Sequence, residues 1–165
     1  MRLLVNATIL LKDPRGLGVY TKNVLDHWSS SNMDTDILIS KEGQKLVSNS
    51  ALHFIKAPLI RRHLLRIAWL QKLGWQGSLR AYDAVLSTGI EFPSAIKLPY
   101  FITVHDLIAL RYPQFVSRKY HLYFKWILPQ ILRKARGVIT ISESTKQDLL
   151  FYYPELAADN ICCST

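Results

Sequence analysis

A series of short, nearly continuous apolar runs, separated by segments with helical spacing, limits what this chain can fold into more than any other feature. Residues 2–6, 36–40, 51–55, 84–87, 100–104 and 137–141 form these runs, none longer than five residues. Runs of this length without polar alternation suit strands buried on both faces, which is the pattern of a parallel sheet. Between them lie stretches with helical periodicity. Val19, Tyr20, Val24, Leu25 and Trp28 fall on one face of a helix that starts near Leu17 or Gly18. Ile60, Leu64, Ile67 and Ala68 mark a second helix over 59–73, which Gly74 is placed to stop. The longest stripe runs over 118–135 and takes in Tyr120, Tyr123, Phe124, Ile127, Leu128, Ile131, Leu132 and Ala135. Pro129 lies inside it, which predicts a bend where the Lys125 carbonyl loses its donor. Ser142 followed by Glu143 reads as an N-cap with an acid in the first turn of a helix to about Tyr152, and a last strand begins near Ile161. Strands alternating with helices along the whole chain predict an α/β fold: a doubly wound, mostly parallel, Rossmann-like sheet with helices on both faces.

Length and composition fit one domain over 1–165, since 165 residues that are 49% apolar can bury a real core. The two cysteines, Cys162 and Cys163, are adjacent, so they offer neither a disulfide framework nor a multi-cysteine metal site, and reduced cytosol is the expected compartment. The first eleven residues read as a strand instead of a secretion signal, because polar positions interrupt them and no small-residue cleavage site follows. No window approaches the roughly 18 apolar residues of a membrane span.

The net charge of +9 is unevenly distributed. No acid occurs from 43 to 82 or from 107 to 142, while each stretch carries seven lysines and arginines. Such blocks imply an acidic partner: phosphate, anionic lipid or nucleic acid. Arg61, Arg62 and Arg66 with Trp69 make the 59–73 helix basic and amphipathic, which suits either an anionic membrane surface or a solvated face whose other side packs in the core. Nucleic acid is the weaker reading, because the aromatic residues in the basic stretches fit a core face and no recognised reading motif occurs.

In open parallel sheets ligands bind beyond the carboxyl ends of the strands, which directs attention to the loops at 13–18, 87–92, 105–110 and 142–145. Gly16-Leu17-Gly18 is no dinucleotide fingerprint, since it lies far from the first strand and Thr21 stands where a third glycine belongs. It is either an ordinary surface loop or a glycine loop entering a helix N-terminus, where backbone amides and the helix dipole hold phosphate. His105-Asp106 follows a strand, so the two side chains point to opposite faces and one of them reaches a ligand. The alternative is an imidazole held by local hydrogen bonds. The remaining histidines share no ligand spacing, and no metal site is expected.

Taken in order, the stretches at 16–25, 69–71, 103–107 and 128–149 resemble glycosyltransferase family 4, whose members pair two Rossmann-like domains across a cleft in the GT-B architecture. The resemblance implies that this chain corresponds to the N-terminal, acceptor-side domain of a retaining enzyme. Such an enzyme would transfer a hexose, for example mannose, from a nucleotide sugar to a glycan or lipid-linked acceptor, with no metal or other cofactor. Gly16, Leu17 and Gly18 then form the loop that meets the donor diphosphate, and His105 lies beside the transferred sugar as an orienting and charge-stabilising residue. Asp106 fixes the loop or reaches a hydroxyl, and Ser142 and Glu143 begin the helix that faces the cleft. Val19 stands where family members commonly carry an arginine. The family's C-terminal, donor-binding domain, with its two spaced glutamates and basic pair, has no counterpart among these residues. The chain is therefore expected to be inactive alone, whether it is an excised domain, a truncated product or one half of a split enzyme whose other half another chain supplies. The competing expectation is a non-catalytic remnant that binds a partner or a membrane. Either way the expected location is cytoplasmic, with peripheral contact on the inner face of the membrane.

Overall fold

In the computed structural model, residues 1–29, 33–75, 79–91 and 96–164 are described. They form two compact units, Met1–Tyr100 and Phe101–Thr165, that contribute to a seven-stranded, all-parallel sheet.

The first unit carries β1 (Arg2–Asn6), α1 (Gly16–Asp26), β2 (Asp34–Ser40), the short α2 (Lys41–Gln44), β3 (His53–Ala57), α3 (His63–Trp75) and β4 (Ala84–Ser87). Its strands are ordered β3-β2-β1-β4, so the chain steps outward twice and then crosses back to the other side of β1. Asn6 is in register with Leu38 on one side and with Ser87 on the other. Right-handed crossovers that run in opposite directions lay their helices on opposite faces, which opens a crevice where the direction reverses, here between the ends of β1 and β4. Leu3, Val5, Ile37, Ile39 and Ala84 pack with Leu10, Leu25 and Leu52 into one core cluster. β1 is buried on both faces after Arg2, as its uninterrupted apolar run requires.

Three elements of this unit differ in extent from the sequence reading. β2 starts two residues earlier than expected, at Asp34. β3 lies two residues later than expected, in register with β2 from Asp36↔His53 to Ser40↔Ala57. α3 also starts later, and Gly74 lies inside it, so that glycine does not end the helix. Phe92, at the far end of one loop singled out above, is outside the described residues.

The second unit carries β5 (Tyr100–Val104), α4 (Ile108–Arg111), a 3₁₀ turn (Pro113–Phe115), α5 (Arg118–Leu122), α6 (Leu128–Lys134), β6 (Gly137–Thr140), α7 (Glu143–Tyr152) and β7 (Ile161–Cys163), with strands ordered β5-β6-β7. The expected long helix is α5 and α6 joined by a π-helical turn over Tyr123–Ile127. The Leu128 amide donates to the Tyr123 carbonyl, five residues back. Pro129, which has no amide to donate, therefore falls in the first turn of α6, where no intrahelical partner is needed. The wider turn also shifts the helical phase. Tyr123, Phe124, Leu128, Ile131 and Leu132 are buried as the stripe predicted, but Ile127 is turned outward and is 42% exposed.

Candidate functional site

In the first unit the ends of β1 and β4, where the strand order reverses, are joined by buried polar groups that satisfy one another. The Asn6 Nδ2 donates to Ser87 Oγ at 3.1 Å and to the Glu91 carbonyl at 2.9 Å, while its Oδ1 accepts from the Thr8 amide and hydroxyl. The Thr21 hydroxyl, on α1, lies 2.9 Å from both the Leu17 carbonyl and the Thr88 hydroxyl, and Thr88 in turn reaches the Asn6 carbonyl at 3.2 Å. The residue that replaces a third glycine thus ties the first turn of α1 to the end of β4. No composition or spacing signal singles out these side chains, because each is an ordinary polar residue until the register of β1 and β4 is known.

The glycine loop enters α1 without a side-chain cap. Arg15 holds the cap position in extended conformation, and no acid lies in the first turn. Leading amides of a helix have no intrahelical acceptor, and in α1 these include the amides of Gly16 and Leu17. The Gly18 amide is committed to the Arg15 carbonyl at 2.6 Å. Gly18 serves packing instead: a Cβ there would lie 2.8 Å from that of Pro14, whereas a Cβ on Gly16 would meet nothing within 4 Å.

Arg66 requires a correction. It was expected on a basic face open to membrane or acceptor, yet it is only 5% exposed, and Glu91 opposite it only 3%. Its Nε and Nη2 grip the two Glu91 carboxylate oxygens, and Nη1 donates to the Ile60 carbonyl at 2.6 Å. An acid twenty-five residues away neutralises it, which helical spacing cannot reveal. Arg61 and Arg62 are exposed and Trp69 is half-buried.

In the second unit His105 ends β5 and is 8% exposed, while the next residue, Asp106, is exposed. The two side chains thus part at the strand end. Asp106 Oδ1 accepts from the Ile108 amide at 3.1 Å and so braces the turn into α4. The Thr145 hydroxyl donates to the His105 carbonyl at 2.9 Å, and the Thr145 amide donates to Ser142 Oγ at 3.1 Å. Ser142 is the N-cap of α7, with Glu143 exposed in the first turn. The histidine and the capped helix start are therefore joined through Thr145, to which the sequence reading gave no role. Among the described residues no group of three His, Cys, Asp or Glu side chains is gathered for a metal ion. No helix among them is long and apolar enough to cross a membrane.

Residues 14–162 match the family model described as Glycosyltransferase Family 4. The chain belongs to glycosyltransferase family 4. The matched stretch runs from the glycine loop into β7, so it includes Gly16, the β1–β4 crevice partners Thr21 and Ser87, His105 and Ser142. No curated protein matches this family 4 chain significantly. Two solved structures share its fold. One is a glycosyltransferase from Rickettsia africae ESF-5, with 12% identity and a TM-score of 0.57 over 98% of this chain and 42% of that one. The other is sucrose-phosphate synthase from Thermosynechococcus elongatus, with 12% identity and a TM-score of 0.61 over 99% of this chain and 47% of that one. The family 4 chain therefore spans less than half the length of either structure.

Proposed function

We propose that this family 4 chain forms the acceptor side of a retaining hexosyltransferase that moves a sugar from a nucleotide donor to a glycan or lipid-linked acceptor. The observation that carries the reading is the end of β5. There a buried histidine has its backbone pinned by Thr145, on the helix that Ser142 caps. A buried side chain carried on backbone held in this way suits orienting work, since a small displacement of a positioning group is expensive in rate. In the reaction, the bond from the anomeric carbon to the diphosphate oxygen breaks as the acceptor oxygen bonds to that carbon on the same face. The departing phosphate oxygen takes the acceptor proton. His105 orients the acceptor and stabilises developing charge, and the leading amides of α1 at Gly16 and Leu17 meet the negative charge on the diphosphate. No metal or other cofactor is required in this scheme.

The 165 residues alone should turn over negligibly, because the reading assigns most of the donor contacts to a second domain. The test is complementation. The chain is mixed with a family 4 donor-binding domain and a panel of radiolabelled nucleotide hexoses, and transfer is measured before and after His105→Ala. Restored transfer that drops about a hundredfold or more in the variant is expected for a group of this kind. A complemented enzyme indifferent to His105→Ala would overturn the role of the histidine. Complementation that never yields transfer, with both halves folded, would overturn the transferase reading in favour of a non-catalytic binding module.

A further inference from the structure

The sequence placed any membrane contact at Arg61, Arg62, Arg66 and Trp69, but Arg66 is buried against Glu91 and of the four only the two other arginines are exposed. The second unit presents another surface. Phe115 is 78% exposed and Trp126 59%, and Ile108, Tyr112, Leu122 and Ile127 are exposed as well. All six lie within one twenty-residue segment, 108–127, made of α4, the 3₁₀ turn, α5 and the π-helical turn. The His121 Nδ1 lies 2.7 Å from the Ala109 carbonyl and so ties α5 to α4. The Tyr112 and Phe115 rings pack with centroids 6.3 Å apart. Leu122 and Trp126 are four residues apart on one helical face. His121, Lys125 and Trp126 line one cleft of about 510 Å³ together with Leu110.

Soluble proteins rarely leave this much apolar surface together without a use for it. The local charge selects the use. Arg118, Lys119 and Lys125 lie in the same segment, within which no acid occurs, while Arg111 is paired with Asp148 and Glu155 lines the cleft beside Lys125. The Arg111 guanidinium lies 5.7 Å from the centre of the Tyr112 ring, and the Lys125 ammonium is 5.4 Å from the centre of the Trp126 ring. Cations held beside exposed aromatic rings are the arrangement that suits a headgroup layer, where rings enter the boundary and ammonium groups meet lipid phosphates. The π-helical turn contributes directly, since its phase shift is what turns Ile127 outward beside Trp126.

We infer that the surface built by α4, the 3₁₀ turn, α5 and the π turn docks on an anionic lipid bilayer, with Phe115, Leu122 and Trp126 entering the headgroup region. The inference rests on the proposed function only in that a lipid-linked acceptor would be met there. Vesicle binding requires no transfer, so the two can fail separately.

The test uses the full chain with phosphatidylcholine vesicles, made with and without phosphatidylglycerol. Cosedimentation is expected only with the anionic vesicles, accompanied by a blue shift of tryptophan emission. Trp126→Phe should keep most of the binding and remove most of that shift, which assigns it to one ring. Phe115→Ser with Trp126→Ser should lower partitioning by more than tenfold. Lys119→Ala and Lys125→Ala should each lower it by about fivefold. Arg61→Glu with Arg62→Glu should change it little. Equal binding to neutral vesicles, binding without a blue shift, or loss confined to the Arg61/Arg62 variant would each overturn the inference.

Discussion

Replacing Arg66 by methionine should destabilise the first unit severely, and the size of the effect follows from its surroundings. The guanidinium is almost wholly buried, makes a two-pronged pair with Glu91 and also holds the Ile60 carbonyl. Methionine retains much of the stem volume but leaves the Glu91 carboxylate without its guanidinium in a dry site. Breaking one side of a buried pair typically costs about 3–5 kcal/mol. In a chain of this size that corresponds to a fall in Tm of about 6–20 °C, at roughly 2–4 °C per kcal/mol. Replacing both partners, Arg66→Met with Glu91→Leu, removes the stranded charge and should recover most of the loss. Urea unfolding followed by far-UV circular dichroism on the two single variants and the double measures the coupling directly. Arg61→Ala and Arg62→Ala, on exposed positions of the same segment, serve as controls and should unfold like the parent. If Arg66→Met unfolded within about 1 kcal/mol of the parent, far below the range for a broken buried pair, the burial argument would be refuted.

Two further outcomes are expected. Gly18→Ala should cost about 1–3 kcal/mol, because the new methyl must displace Pro14, while Gly16→Ala should be near neutral, and thermal unfolding distinguishes them. Asp36 governs part of the acid limb of the stability profile. Burial by itself would raise its pKa, but hydrogen bonds from Tyr82, His53 and Arg2 outweigh burial and hold it below the ordinary carboxylate value. A carboxyl depressed in the folded state contributes its full stability above the unfolded pKa of about 3.9 and loses it as pH falls through the lower folded value. Urea midpoints measured downward from neutral pH should therefore fall less steeply below about pH 4 in Asp36→Asn than in the parent; parallel profiles would count against the assignment.

The strands were legible because burial on both faces writes itself as unbroken apolar runs, and the cap at Ser142 because it depends on one residue and the amides just after it. His105 could be placed at a strand end for the same reason. What could not be read depended on partners distant in sequence. Arg66 looked like one cation of a solvated stripe because Glu91 lies outside its helix. Thr21 and Asn6 gained a role only when β1 was set beside β4. Ile127 was assigned to the core because periodicity assumes an even helical pitch, and Pro129 signalled a disturbance without revealing that a wider turn would absorb it. The loop Gly16 to Gly18 was read as a whole as facing the diphosphate, although the Gly18 amide donates to the Arg15 carbonyl.

Thr21 leaves the entrance of α1 and the tip of β4 little freedom to relax independently. A ligand that stiffens one should find the other already stiffened, and by thermodynamic reciprocity each occupant must favour its companion by an equal factor. Two ligands bound one at each end would then promote each other's residence without any flap closing over them.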